Sequence, residues 1–181
     1  QAAVSLDEAG WKLNGAVRYK DNRPLQFTIT TTKNKQYQAA AAELAKQWEA
    51  LGVKVTVSSV DAANISTQFI QNVLQQRNFD VLVYELAIGA DPDVYAYWHS
   101  SQGGMNASGY NFTNYSNKNA DAALASARSR ADVTLRNDKY AAFAKQWIDD
   151  APALGLYQPV LEYVANKNNS TLGKDTKLIL A

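Results

Sequence analysis

A chain of 181 residues is long enough for one domain with a real hydrophobic core and short for two. It contains no cysteine, which excludes a disulfide framework, a thiol nucleophile and thiolate-held zinc or iron–sulfur centres. The formal charge of +1 arises from 18 basic and 17 acidic residues that are interspersed along the chain, so there is no electrostatic footprint for DNA or RNA.

Residues 7 to 24 mix Asp, Gly, Asn, Lys and Pro around Trp11 and Tyr19, a composition that predicts a leading helix followed by a looped linker. Leu25, Phe27 and Ile29 then alternate with Gln26, Thr28 and Thr30, the period of a strand with one face buried. Tyr37, Ala41, Leu44, Trp48 and Leu51 recur at helical spacing, and Gly52 is placed to end that helix. Val53 to Ser58 is again a strand, and strand–helix–strand at this spacing is a crossover unit that favours parallel pairing. Ile65, Phe69, Val73 and Arg77 predict a second helix. Phe79 to Tyr84 is apolar on both faces after Asp80, as in a central strand with helices on either side.

The segment that follows, through Asp91-Pro92-Asp93 to Tyr97-Trp98-His99-Ser100, leaves the carboxyl end of that strand, where open α/β sheets bind ligands. A glycine- and asparagine-rich loop from Ser101 to Asn117 carries Tyr110, Phe112 and Tyr115. Ser116 is the expected cap of a helix over 117–130 with Ala120, Leu124 and Ala127 inward. Asp132 is the expected cap of another helix with Tyr140, Phe143 and Trp147 inward, stopped by Pro152. Leu154–Tyr157 and Val160–Ala165 read as short strands split by Pro159. The order of elements predicts an α/β domain with α+β character, three layers deep, around a mixed sheet.

No stretch approaches the length of a membrane span, and Gln1–Leu13 lacks the charged start and apolar centre of a signal peptide. The chain therefore reads as mature or as a piece of something longer, a reading that the apolar ending Leu178–Ala181 favours. Asn-x-Ser/Thr triplets begin at Asn64, Asn106, Asn111, Asn114, Asn168 and Asn169, and in so asparagine-rich a chain they are expected to be plain surface loops.

The chemistry on offer is that of binding. His99 is the single histidine, so a serine hydrolase would have to be built on it with Ser100 or Ser101, and no nucleophile-elbow pattern surrounds them. Packing beside Trp98 or bonding to backbone is the plainer role for His99. Asp91 and Asp93 offer a carboxylate pair, but Asp-Pro-Asp is also ordinary turn chemistry. Glu85, directly after the central strand, is placed to meet a ligand ammonium or a basic side chain. Tyr95, Tyr97, Trp98, Tyr110, Phe112 and Tyr115 offer amphipathic surfaces for a ligand wall. At least half of them are expected in the core, and Trp98 with Tyr110 is the expected exposed pair. No glycine-rich phosphate loop is present: Gly103-Gly104 lacks the helix and Lys/Ser context.

Four blocks in order carry a resemblance: Leu6–Trp11 with Pro24–Phe27; Ala42–Val57, containing Trp48-Glu-Ala-Leu-Gly-Val-Lys-Val55; Asn78–Asp80 through Asp91–Asp93 and Tyr97–Ser100; and Ser108–Tyr110 with Tyr115–Asn117, Asp121, Asp150–Pro152 and Leu156-Tyr157. Over nearly the whole chain they resemble the second, C-terminal lobe of the extracellular solute-binding proteins of peptide and nickel ABC importers, family 5. The resemblance implies that residues 1–181 form one lobe of a periplasmic binding protein of type II. In that reading, residues 166–181 begin a crossing segment back to a first lobe that is missing here.

It further implies a monomeric receptor in the periplasm or on the outer face of the cytoplasmic membrane, lipid-anchored in some parents. Such a receptor captures short peptides non-covalently between two lobes and hands them to an ABC permease. Neither cofactor, metal nor catalysis is implied, and Glu85, Asp91, Asp93, Trp98 and Tyr110 are the expected ligand residues. In peptide receptors of this group an aromatic residue and then an aspartate precede the acid–proline turn, the aspartate pairing with the peptide amino terminus. Here Glu85 and Ile88 hold roughly those places, so Glu85, Asp91 or a non-peptide ligand accounts for the departure. Other readings are a receptor lobe for nickel or another chelated solute, a hydrolase using His99, and a structural or protein-interaction domain.

Overall fold

The computed structural model describes residues 1–89, 91–105 and 109–158. The chain starts with helix α1 (Ala2–Glu8). Residues that read as a linker then form an antiparallel meander of β1 (Lys12–Asn14), β2 (Val17–Lys20) and β3 (Arg23–Pro24). The correction has a local cause: Asp21 and Asn22 both take positive φ (51° and 61°), the backbone of the two-residue turn that matches strand twist. Arg18, 6% exposed, ties the meander to the body. Its Nε donates to the Leu51 carbonyl at 2.7 Å, while Nη1 donates to Trp11 O at 2.7 Å and Asp7 Oδ1 at 2.6 Å.

The second sheet is parallel, with β4 (Gln26–Thr32) flanked by β5 (Lys54–Val60) on one side and β6 (Val81–Leu82) on the other. The crossover between β4 and β5 is α2 (Lys35–Glu49), capped by Asn34, whose Oδ1 accepts from the Gln36 and Tyr37 amides. Parallel and antiparallel pairing thus occupy separate sheets among the described residues. The strand in the middle is β4, not the segment after Asp80. Its carboxyl half, Ile29 to Thr32, is buried on both faces and Phe27 in its first half is exposed, so the simple alternation expected of it is not seen.

Side-chain alternation sorts the layers. Ile29, Val55, Val81 and Val83 face α2 with Ala41, Ala45 and Trp48. Leu82 and Val60 face the other way, onto Phe69, Val73 and Leu74 of a helix over Ile65–Gln75 that is wound wide, in π register. The result is a three-layer α/β/α domain, the class expected from the sequence.

A third cluster joins helix α3 (Tyr95–Trp98) to the antiparallel pair α4 (Lys118–Arg128) and α5 (Val133–Asp150) through Trp98, Leu124, Ala127, Tyr140 and Phe143. Asn117, not Ser116, caps α4, its Oδ1 accepting from the Asn119 and Ala120 amides. Asp132 caps α5 as expected. The α5 helix ends at Asp150, one residue before the proline-bound turn, with Ala151 left-handed at φ 46°. Leu154–Tyr157 is not a strand among the described residues. The expected strand Val160–Ala165 and the segment 166–181 lie outside the described residues.

Candidate functional site

All three parallel strands point their carboxyl ends at one edge. There β6 runs out into Tyr84 and Glu85, and the first turn of α2 places Tyr37 alongside. The Tyr37 hydroxyl donates to Glu85 Oε2. That bond, with burial next, pushes the Tyr37 phenol up to about 12. Tyr84 and Tyr157 add smaller electrostatic contributions to the same rise.

From Tyr84 the rings continue as a ladder. Tyr84 meets Phe112 edge-on at 5.7 Å, Phe112 meets Tyr110 at 6.1 Å, and Tyr110 stacks with Tyr97 at 5.6 Å. Tyr84 also touches Phe69 at 6.5 Å, which roots the ladder in the core. Tyr84 is 43% exposed and Tyr110 50%, so ring faces remain open to a ligand although both are held. Desolvation, and then the neighbouring Tyr97, Tyr110 and Glu85, raise the Tyr84 phenol above its ordinary value. The Tyr84 phenol is therefore neutral at physiological pH and able to donate or accept a hydrogen bond.

The five expected ligand residues divide. Glu85 and Tyr110 stand on this wall. Trp98, expected to be exposed, is 8% exposed and packs edge-on against Trp147 at 5.3 Å, because the apolar face of α3 is turned onto α4 and α5. Asp91 accepts from the Asp93 amide at 2.9 Å, the turn chemistry weighed for it, and pairs with Arg136, which holds its carboxyl below the usual range. Asp93 accepts from the Tyr95 amide at 3.1 Å and pairs with Arg128 Nε at 3.0 Å. Both aspartates thus tether the loop to α4 and α5. Arg128 also lies over the Tyr95 ring at 4.5 Å.

His99 stacks on Tyr95 at 4.1 Å rather than on Trp98. Its Nδ1 accepts from the Ser101 amide at 3.1 Å and sits 2.8 Å from Ser101 Oγ. An Nδ1 that accepts an amide proton leaves the ring hydrogen on Nε2, so its 4.0 Å approach to Asp121 is not a hydrogen-bonded relay. Asp121 instead accepts from the Ser100 amide at 2.8 Å and the Ser100 hydroxyl at 2.5 Å. No group of three or more His, Cys, Asp or Glu side chains is arranged to hold a metal ion among the described residues.

Sequence reading missed Tyr37 and Tyr84, which it counted as helix stripe and strand. The signal was present: in parallel α/β units, the residue after a strand and the first turn of the next helix share the ligand edge. It also missed Asn111, which is fully buried in the loop that carries Tyr110 and Phe112.

The sequence profile of the bacterial extracellular solute-binding proteins, family 5 Middle, matches residues 1–107. Among solved structures, the oligopeptide-binding protein AppA from Bacillus subtilis, in complex with a nonapeptide, is 26% identical with a TM-score of 0.73. That alignment covers 83% of this chain and 29% of AppA. NikZ from Campylobacter jejuni, in complex with Ni(L-His), is 24% identical with a TM-score of 0.72 over 83% of this chain and 30% of its own. An oligopeptide-binding protein from Thermus thermophilus, complexed with a pentapeptide, shares the fold at 18% identity and a TM-score of 0.70, over 84% of this chain and 28% of its own. This chain therefore spans less than a third of the length of these relatives, and no curated protein matches it. No helix among the described residues is long and apolar enough to cross a membrane. The chain belongs to the bacterial extracellular solute-binding proteins of family 5.

Proposed function

We propose that this chain is the substrate-capture lobe of an ABC-transporter solute-binding protein, one that takes up short peptides without turnover in a cleft between two lobes and delivers them to a membrane permease. The observation that carries the reading is the half-exposed wall of Tyr84, Phe112, Tyr110 and Tyr97 beside the Glu85–Tyr37 pair, at the carboxyl edge of a parallel sheet. Ring faces tolerate varied side chains, and phenol hydroxyls with one carboxylate suit an amide backbone carrying an ammonium group. The likeness to AppA, which holds a nonapeptide, supports the peptide class. In this reading a second lobe closes over the wall, and the parent is a monomer in the periplasm or on the extracellular face of the membrane.

A chelated metal is the second reading, favoured by the likeness to NikZ, which holds Ni(L-His). A complex held through its small-molecule ligands asks for flat surfaces and few protein donors, which the same wall provides. Native mass spectrometry of the gently purified full-length receptor separates the two. A ladder of added masses matching mixed short peptides is the expected result. A single discrete adduct with a metal isotope pattern would replace the peptide reading with the second. Turnover of peptide or ester substrates that vanishes in His99→Ala would overturn both.

A further inference from the structure

We infer that Asn111, a residue that presents nothing to the cleft, is the positioning residue of the ligand wall, with Arg77 as its link to the helix over Ile65–Gln75; the inference rests on the reading of that wall as the binding surface. Asn111 is 0% exposed and every polar atom of its side chain is used. Its Nδ2 donates to the carbonyls of His99 (3.1 Å) and Tyr115 (2.9 Å). Its Oδ1 accepts from the Tyr115 amide (3.0 Å) and the Thr113 hydroxyl (3.3 Å). One amide thus fastens the start of the loop at His99 to its end at Tyr115.

Three further hydrogen bonds and one cation–π contact carry that order to the rings. The Asn111 amide donates to Gln102 O at 3.3 Å, and the Tyr110 amide to Ala96 O at 2.9 Å. Arg77 Nη2 donates to the Asn111 carbonyl at 3.3 Å while its guanidinium lies 5.0 Å from the Phe112 ring centroid. Two rings of the ladder, exposed Tyr110 and partly buried Phe112, are the sequence neighbours of the buried amide on either side. The loop also runs too close to itself to be rebuilt freely: a Cβ on Gly109 would fall 2.5 Å from the Gln102 carbonyl oxygen. A buried amide satisfied on all sides defines one conformation, whereas one with a reversed or missing donor expels its neighbours. Burial also removes Asn111 from consideration as a sugar acceptor, despite its Asn-Phe-Thr triplet.

The test is the full-length receptor with 3-fluorotyrosine placed at Tyr110 alone, read by fluorine NMR without ligand, and by calorimetry with pentaalanine as the probe. Asn111→Asp keeps the shape but replaces the donor that two carbonyls share. The Tyr110 resonance is expected to shift or split, and affinity to fall by about tenfold or more. Leu124→Ala, which opens a cavity at a fully buried site between α4 and α5, serves as the stability control. It is expected to lower Tm while leaving the resonance and the affinity unchanged in the folded protein. A wild-type Tyr110 resonance in Asn111→Asp, or an equal change in Leu124→Ala, overturns the inference. Should Asn111→Asp not fold, Arg77→Met is judged by the same two criteria. If the wild type ignores pentaalanine, the peptide reading falls and the fluorine comparison alone decides the positioning role.

Discussion

At the scale of single residues, the two rings first expected to share the cleft part company, and that separation is measurable. Trp98 is 8% exposed within the α3–α4–α5 cluster, so Trp98→Ala is expected to cost about 3–5 kcal/mol in urea unfolding. Tyr110 is 50% exposed, and Tyr110→Ala is expected to cost about 1 kcal/mol or less while abolishing most ligand affinity in calorimetry. Unaltered affinity in Tyr110→Ala would remove the ring ladder from the binding surface.

Asp150 poses a second residue-scale question. It accepts from Tyr115 Oη and Asn117 Nδ2, each at 2.7 Å, and from Gln146 Nε2 at 3.0 Å. The Tyr115 bond first, then those from Asn117 and Gln146, hold its carboxyl below the ordinary 3.8. Tyr115 itself is raised above 10.0 by burial and by the same partner. A depressed carboxyl contributes stability that is complete above its unfolded value and lost as pH falls through the folded one. A raised phenol contributes stability that is complete below its unfolded value and lost as pH climbs through the folded one. Thermal unfolding should therefore show an acid loss beginning near pH 4 and an alkaline loss beginning near pH 10. Asp150→Asn is expected to flatten the acid loss; an acid profile identical to wild type would show that the tether contributes nothing.

Individual elements were legible wherever a period and a punctuation mark coincided. The β4–α2–β5 unit was one, because alternation gives way to a helical stripe that Gly52 ends and the crossover leaves parallel pairing as the natural outcome. Gly52 takes φ +86°, and a Cβ there would meet Leu13 Cδ1 at 2.8 Å and Arg18 Cγ at 2.9 Å, so the turn also seats the meander. Gly52→Ala is expected to destabilise by more than about 1 kcal/mol, from left-handed strain plus the clash. It is also expected to speed amide exchange in β1 and β2, and exchange unchanged there would detach the meander from this turn.

The meander itself was hidden by its composition. Strands of three, four and two residues are too short to show a period, and the turn at Asp21-Asn22 lacks the glycine that marks most such hairpins. The helix over Ile65–Gln75 was foreseen with its stripe at Phe69 and Val73. Its wide winding buries Leu74 and leaves Ile65 38% exposed, which a helix of ordinary pitch would not predict. The capping of α4 by Asn117 rather than Ser116 shows the same limit, since either side chain can accept the amide bonds and only the backbone angle chooses.

For the whole molecule, the candidate site drew its residues from four separated stretches: Tyr37 on α2, Tyr84 and Glu85 after β6, Tyr97 on α3, and Tyr110 with Phe112 on the long loop. Sequence reading singled out Phe79–Ser101, from which Glu85 was taken, and the loop after it, from which Tyr110 was taken, while Tyr37 lies on a different element altogether. It misjudged Trp98 because neighbours on a short helix face opposite ways, and periodicity cannot orient a four-residue helix. The same distribution predicts how a ligand closes the site. If a second lobe shuts over this wall, the rings at its open edge lose access to reagents, while a tyrosine on the meander keeps it. Tyr84 and Tyr110, at 43% and 50% exposed, are therefore expected to be protected from nitration by tetranitromethane when the full-length receptor holds its co-purified ligand. Tyr19 on β2, at 38% exposed, should be modified equally with and without it. Peptide mapping by mass spectrometry reads the three sites in one experiment. Protection spread evenly over all of them would mean general compaction rather than closure on the wall, and modification of Tyr110 at the ligand-free rate would move the binding surface away from the carboxyl edge of the sheet.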